Sequence, residues 1–129
     1  MEALHLDTHV AVWLYAAGDT LGLLSKRARV AIESADRLLV SPMVLLEIPL
    51  LRETKRITAG SDEVFVALRE SVGLDFDGQP FSEVAAEAAR LSWTRDPFDR
   101  VIAAQAKVAG APLLTRDRRI RRHLAAAFW

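Results

Sequence analysis

Short apolar runs that alternate with longer amphipathic segments are the feature that most constrains this chain. Three runs, at 3–6, 38–41 and 112–115, have the length and apolar character of strands buried on both faces. Helical patterns separate them, and strands joined through helices pair in parallel. The pattern predicts an α/β fold, specifically a three-layer α/β/α sandwich around a mostly parallel central sheet.

Caps and breakers set the expected helix boundaries. The expected helices are 8–17 ended by Gly18, 26–35 capped by Ser25, 42 to about 55 capped by Ser41, Ser61 to Val72 ended by Gly73, 83–92 capped by Ser82, and one from Asp96-Pro97 to Gly110. Pro49 lacks an amide proton and should kink the third helix near Glu47 or end it early. A short strand, possibly at an edge, is expected within 74–81, and one short helix after Asp117.

Composition bounds the class of protein. The 129 residues, 51% of them hydrophobic and 26% charged, indicate one globular domain spanning 1–129. Cysteine is absent, which excludes disulfides and thiolate metal sites. The N-terminus lacks the basic and apolar regions of a signal peptide, and no apolar run approaches about 18 residues. We therefore expect a cytoplasmic protein without membrane contact.

Four acidic residues stand where the carboxyl ends of parallel strands should meet. Asp7 follows the first strand, Glu47 lies in the helix after the second, and Asp117 follows the last, while Asp99 opens the helix before it. Active sites of open parallel sheets form at this edge. Converging carboxylates repel one another unless a hard cation such as Mg²⁺ or Mn²⁺ joins them. The arrangement suggests a metal site for phosphate chemistry.

Each acid also has a structural interpretation. Asp7 and Asp117 could cap the helices that follow them, and Asp99 could return a capping-box hydrogen bond to Asp96. Asp96 could cap its helix, hydrogen-bond a metal-bound water, or both. Glu47 is surrounded by apolar residues, so its charge needs compensation by a metal or by a structural partner such as an arginine. The other acids, Asp77 among them, lie in turns or on polar faces and are expected to be solvated.

Several polar residues stand beside these acids. Thr8, Ser41 and Thr115 could hydrogen-bond phosphate or second-sphere water, or could cap helices. Five arginines fall within seven residues of a chain whose seventeen basic residues balance seventeen acidic ones: Arg116, Arg118, Arg119, Arg121 and Arg122. They predict a local phosphate-binding face, with a solvated surface as the alternative.

Five segments together resemble a known family: LDTHVAVWL, LSKRARVAIESAD, VSPMVLLEI, RDPFDRVIAAQAKVAGAPLLTRDRRI and the final Phe-Trp. Their order and spacing over nearly the whole chain are similar to those of PIN-domain ribonucleases, specifically the toxins of VapBC toxin–antitoxin pairs. The resemblance matches the family's four acids to Asp7, Glu47, Asp99 and Asp117. Pro49 departs from the usual pattern, in which the helix continues.

The resemblance implies cleavage of RNA by an endonuclease dependent on Mg²⁺ or Mn²⁺. Asp7 and Asp99 are the expected metal ligands, direct or through water, and Glu47 and Asp117 complete the pocket. It also implies a homodimer and a VapB-like antitoxin that lays an apolar helix in a groove and sends an arginine into the acidic pocket. The alternative is a catalytically silent PIN-like binding module, whose signature would be a missing acid, and none is missing.

Other phosphate enzymes fit the sequence less well. An Asp-nucleophile phosphatase usually has a second Asp two residues after the first, where this chain has His9. No Gly-rich phosphate loop of the Walker or dinucleotide type is present. Self-association is further suggested by helix residues whose apolar surface exceeds what one small sheet can cover: Val12, Trp13, Tyr15, Leu45, Leu46, Leu50 and Leu51.

Overall fold

The computed structural model describes residues 2–17 and 22–129, and Gly18, the expected end of the first helix, lies outside these ranges. Within them the chain forms five strands and seven helices. In chain order they are β1 (Ala3–Leu6), α1 (Thr8–Ala17), α2 (Lys26–Ser34), β2 (Arg37–Val40), α3 (Met43–Glu53), α4 (Ser61–Val72), β3 (Asp75–Phe76), α5 (Phe81–Ala88), α6 (Pro97–Ala109), β4 (Leu113–Leu114), α7 (Arg118–His123) and β5 (Ala127–Phe128).

The strands form one sheet in the order β3-β2-β1-β4-β5, and every adjacent pair is parallel. Helices flank this sheet, as expected from the alternating pattern. The sheet is wholly rather than mostly parallel. β1 is central, with His5 opposite Leu39 on one side and Leu113 on the other. The carboxyl ends of β1, β2 and β4 therefore meet at one edge.

The central strand is buried on both faces. Leu4 and Leu6 are fully buried on one face, and His5 is 1% exposed on the other. Because helices cover both faces, apolar residues are favoured at every position and not only at alternate ones, and His5 is the one polar residue of this strand. The continuous run that predicted β1 thus has a direct structural cause.

Most expected helix boundaries are confirmed. The Ser25 hydroxyl caps α2 by accepting a hydrogen bond from the Ala28 amide at 3.0 Å. Helix α3 begins one residue later than expected, with Pro42 as its N-cap, and the Ser41 hydroxyl before it accepts from the Met43 amide at 3.1 Å. Gly73 and Gly110 end their helices in the left-handed conformation, with φ of 68° and 66°. This conformation costs little only for residues without a Cβ atom, so glycine is the expected terminator.

Helix α3 continues through Pro49 to Glu53, so the expected early end does not occur. Proline cannot donate to the carbonyl four residues before it, which here belongs to Leu45. The Ser61 hydroxyl donates a hydrogen bond to that carbonyl oxygen at 3.0 Å. A side chain from the start of α4 therefore satisfies the group that Pro49 leaves without its helical partner.

Two elements differ from the sequence expectation. Helix α5 begins at Phe81 after Pro80 and ends at Ala88, four residues before the expected end, because the chain then forms turns in which the Ser92 amide donates to the Arg90 carbonyl. The tail after α7 adds β5, which no alternation in its sequence predicted. Its strand pairing comes from backbone groups, as in the bond from the Thr115 amide to the Phe128 carbonyl at 3.0 Å.

Candidate active site

Asp7 follows β1 directly and is 6% exposed. One carboxylate oxygen, Oδ1, accepts a hydrogen bond from the Thr8 amide at 2.8 Å. The other, Oδ2, accepts one from the hydroxyl of the fully buried Thr115 at 2.6 Å. Burial raises the pKa of Asp7, although the Thr115 hydrogen bond and nearby His9 oppose that rise. Asp7 directly precedes α1, and these two hydrogen bonds fix the orientation of its carboxylate at the sheet edge.

Glu47 reaches the same edge from the middle of α3. Its Oε1 accepts a short hydrogen bond from the Thr8 hydroxyl. The sequence suggested an arginine as a structural partner of Glu47. Among the described residues, its hydrogen-bond partner is the Thr8 hydroxyl instead. Burial raises the pKa of Glu47, with a further rise from Asp7. The Thr8 hydroxyl and nearby His9 oppose this rise without cancelling it, so the half-buried carboxylate would still be stabilised by a positive charge.

Asp96 and Asp99 stand at the start of α6. Asp96 is the N-cap, and its Oδ1 accepts from the Phe98 amide at 2.8 Å. The capping-box role considered for Asp99 is not realised, because the Asp96 amide donates instead to the Thr94 hydroxyl at 3.2 Å. The Asp99 carboxylate is therefore not needed for the start of this helix.

Asp117 does cap a helix, since its Oδ1 accepts a hydrogen bond from the Ile120 amide at 3.0 Å. Its own amide donates to the Thr115 hydroxyl at 3.0 Å. Thr115 thus connects Asp7 to Asp117 across the end of β4. The structural and functional interpretations of Asp117 are compatible, because the helix cap uses Oδ1 while the same carboxylate raises the pKa of Asp99.

The pKa of Asp99 shows that the other acidic residues lie near it. Burial raises the pKa of Asp99 to about 7, and four carboxylates contribute to the rise: Asp96, Asp7, Asp117 and Glu47. Opposite charges would lower this pKa, and like charges raise it. All four predicted acids and Asp96 therefore share one strongly negative region. Perturbed carboxylates that cluster at a strand edge are typical of functional sites.

The geometry suits a cation that keeps part of its water shell. Within residues 2–17 and 22–129, no three acidic or histidine side chains are arranged to hold a metal ion by themselves. Mg²⁺ is usually bound through one or two carboxylates and retains several waters. An oxygen-only set of mutually repelling carboxylates fits Mg²⁺ or Mn²⁺ in that mode, and does not fit a soft metal.

Residues 4–124 match the family model described as PIN domain. The chain is also 34% identical over 128 residues to ribonuclease VapC22 of Mycobacterium tuberculosis, with 95% of this chain and 93% of the relative covered. The chain belongs to the PIN-domain family, in its VapC branch. This confirms the resemblance that the five sequence segments indicated.

Solved structures show the same fold over 98% of this PIN domain. VapBC2 from Rickettsia felis, solved bound to a promoter DNA fragment, matches with a TM-score of 0.65 at 12% identity over 96% of that chain. PAE2754 from Pyrobaculum aerophilum matches with a TM-score of 0.61 at 19% identity over 88% of that chain. At these identities the likeness concerns the fold alone.

The arginines of this PIN domain do not form one uniform set. Arg116, Arg118, Arg119 and Arg122 are exposed. Arg121 is half-buried, and its guanidinium donates to the Arg116 carbonyl at 3.2 Å, so it supports the loop before α7. The structure therefore separates Arg121 from the other four as a phosphate-binding candidate.

Two features of the site were not expected from the sequence. His9 lies close enough to lower the pKa of Asp7 and Glu47, and its position two residues after Asp7 on α1 was the only available signal. Asp77 is 7% exposed, so its expected solvation is wrong. Its Oδ2 accepts a hydrogen bond from the Gln105 side chain at 2.5 Å. Local sequence could not show that α6 covers the turn after β3.

Proposed function

We propose that this PIN domain is a metal-dependent endoribonuclease that acts as the toxin of a toxin–antitoxin pair. One observation supports this most strongly: burial raises the pKa of Asp99, and four neighbouring carboxylates raise it further, those of Asp96, Asp7, Asp117 and Glu47. A protein has little reason to gather five acids at one sheet edge unless a cation neutralises them. The name of its relative from Mycobacterium tuberculosis, a ribonuclease, supports RNA as the substrate.

Asp7 and Asp99 would hold Mg²⁺ or Mn²⁺, directly or through water. When bound, such a cation supplies a more acidic water and neutralises charge on phosphate oxygens. The chain itself fixes the ligand orientation, since Thr115 holds Asp7 and Thr8 holds Glu47. Glu47 and Asp117 complete the negative pocket and accept hydrogen bonds from water in it.

The substrate would approach along α7. Arg116, Arg118, Arg119 and Arg122 are exposed on or directly before this helix, whose N-cap is Asp117. Guanidinium groups bind phosphate through paired hydrogen bonds. Their position beside the acids would hold the flanking phosphates while the pocket receives the scissile one.

The proposed partners are a VapB-like antitoxin and a second copy of this chain. Three of the matching solved structures are named as VapBC. An antitoxin arginine entering the acidic pocket would replace the positive charge of the cation.

No helix in the described part of the chain is long and apolar enough to span a membrane. We place this pair in the cytoplasm.

The surface proposed for self-association is smaller than the sequence suggested. Val12 and Leu51 belong to the core, being 9% and 7% exposed. Leu46 and Phe81 are 54% and 64% exposed and border a groove of about 310 Å³ that also includes Met43 and Val101. Exposed apolar side chains around a groove are typical of an interface.

The decisive experiment measures cleavage of single-stranded RNA by the purified protein. We expect cleavage in the presence of Mg²⁺ or Mn²⁺, loss of cleavage with EDTA, and recovery when the metal is restored in excess. The Asp7→Asn variant serves as the control for a contaminating nuclease. RNA binding without cleavage under every metal condition would instead indicate the silent binding module and refute the enzyme assignment.

A further inference from the structure

Two aromatic rings stack on one another, one from the turn before α6 and one from the end of α7, and the proposed chemistry uses neither of them. The indole of Trp93 and the imidazole of His123 are nearly parallel, with an interplanar angle of 5° and centroids 5.2 Å apart. Trp93 is half-buried against the core, whereas His123 is exposed. The stack thus begins in the protein and ends in a ring that solvent reaches.

The turn that carries Trp93 is firmly attached to the start of α6. The Arg100 side chain donates through Nε to the Thr94 carbonyl oxygen at 2.7 Å. The Thr94 hydroxyl accepts a hydrogen bond from the Asp96 amide at 3.2 Å, and Thr94 is buried, with 4% of its surface exposed. Trp93 is therefore held in place by the same segment that places Asp96 and Asp99 in the site.

The other ring comes from the helix that Asp117 caps. His123 follows Asp117 by six residues, which corresponds to about 9 Å along a helix. Ile120 is fully buried and fixes which side of α7 faces the core. Arg119 is exposed and precedes His123 by four residues, so the two side chains are neighbours on the helix surface.

An exposed ring next to an exposed cation has the chemistry that binds single-stranded nucleic acid. Bases stack on aromatic side chains while basic groups contact the backbone, and stacking tolerates any base because each has a π-face. A stack that served packing alone would explain the half-buried Trp93. It would not explain why the outer ring is exposed and adjacent to a guanidinium on the helix that Asp117 caps.

We propose that Trp93 and His123 form a base-stacking subsite, in which a nucleobase of single-stranded RNA lies on the exposed ring of His123 and Arg119 contacts the adjoining phosphate. The subsite rests on the proposed ribonuclease function and deepens it. It positions the strand relative to the acidic pocket and does not select its sequence. The binding is noncovalent, and His123 acts as a positioning residue.

The test compares two strands of equal length and charge, oligoadenylate RNA and an abasic phosphoribose strand. Binding is measured in the Asp99→Asn background with Mg²⁺ present, so that the RNA is not cleaved. We expect His123→Ala to weaken oligoadenylate binding about tenfold, within the range for loss of one stacking contact, and to leave abasic-strand binding unchanged. His123→Phe, which keeps a ring, should restore the preference for the base-bearing strand.

The salt dependence of binding separates stacking from charge contacts, because losing a stacking ring does not change the number of counterions that RNA binding releases. The slope of affinity against salt should be the same for His123→Ala and its parent. Equal loss of affinity for both strands, or no loss for either, would overturn the subsite while leaving the ribonuclease proposal intact. If the parent binds neither strand and the wild type cleaves no RNA, the ribonuclease proposal fails, and the subsite with it.

Discussion

At the scale of single residues, two threonine hydroxyls orient the carboxylates of Asp7 and Glu47. Thr115 donates to Asp7 and Thr8 donates to Glu47, and both threonines are fully buried. Hydrogen bonds to a carboxylate favour its charged form and oppose the effect of burial. The two hydrogen bonds therefore fix the orientation of these carboxylates and reduce, without cancelling, the rise in pKa that burial causes.

Replacing either proposed ligand should abolish cleavage without unfolding the protein. For Asp7→Asn and Asp99→Asn we expect a loss greater than the roughly 10- to 100-fold typical of second-sphere changes, because each removes a ligand charge while keeping the side-chain shape. Cleavage rates and thermal unfolding of the same samples provide the measurement. Asp36→Asn is the matched control, since Asp36 is exposed just before β2, at the opposite edge of the sheet. A folded variant with near wild-type turnover would remove that residue from the site.

The raised pKa of Asp99 makes the stability of the metal-free protein depend on pH. The folded pKa of about 7 exceeds the ordinary value of 3.8, so between these values the folded protein holds a proton that the unfolded chain has lost. The stability that this proton contributes is present at low pH and is lost as pH rises toward 7. In the Asp99→Asn variant, the amide side chain does not titrate in this pH range.

Urea unfolding in EDTA should therefore show that Asp99→Asn stabilises the protein more at pH 8 than at pH 5. Taking the difference between variant and wild type removes the contribution of His5, whose pKa burial lowers. Asp7 and Glu47 repel the Asp99 carboxylate, so its loss also relieves them, and this relief changes the difference in the same direction. A difference that stays constant across this range would contradict the convergence of acids on Asp99.

At the scale of elements, α7 performs two tasks within six residues. Its one fully buried residue, Ile120, fixes it against the core, and its arginines reach solvent beside the acidic pocket. Asp117 caps the helix and also adds negative charge to the site. The helix thus carries exposed cations and, at its N-cap, one of the acids that raise the pKa of Asp99.

Replacing Arg118, Arg119 and Arg122 together by glutamine should weaken RNA binding and flatten its salt dependence. Each lost contact with a single strand reduces the slope of log affinity against log salt by roughly 0.7, so three lost contacts reduce it by about 2. Fluorescence anisotropy across a salt series measures the slope. The control replaces three exposed cations around the end of α3, Arg52, Lys55 and Arg56. Equal slopes for the two triple variants would mean that α7 is an ordinary solvated surface or an antitoxin contact.

At the scale of the whole molecule, the strand order brings the acids together. β1 lies between β2 and β4, so residues 7, 41 and 115 lie next to one another although more than a hundred positions separate the first and last. The same arrangement leaves Leu46 of α3 and Phe81 of α5 exposed on a surface that these helices share. Helix α3 carries both Glu47 of the acidic region and Leu46 of the apolar surface.

The apolar surface predicts a dimer in solution. Introducing a charge with Leu46→Glu should convert the dimer to a monomer, because an unpaired carboxylate would be buried at the interface. Light scattering at micromolar concentration gives the mass. Val30→Glu is the control, since Val30 is equally exposed at 54% but lies on α2. A wild-type monomer at these concentrations, or dimers of both variants, would exclude this surface as the interface.

Local chemistry explains what could be predicted from the sequence. The buried strand β1, the Ser25 cap and the glycine terminators depend on neighbours within a few residues, so their patterns are visible in the chain. The positions of Asp7 and Asp117 after strands depend on the same short-range signals. The continuation of α3 through Pro49 does not, because the hydroxyl that satisfies the Leu45 carbonyl belongs to Ser61, sixteen residues away.

The sequence by itself determined the α/β class, the parallel sheet and the set of acids at its carboxyl edge, because periodicity and turn chemistry are local properties. Only the tertiary structure decided which groups meet. It buried Asp77 beneath Gln105, joined Thr115 to Asp7, added β5 at the sheet edge and stacked Trp93 on His123. Each of these depends on contacts between distant segments, whose energies arise only when the core packs and water is excluded.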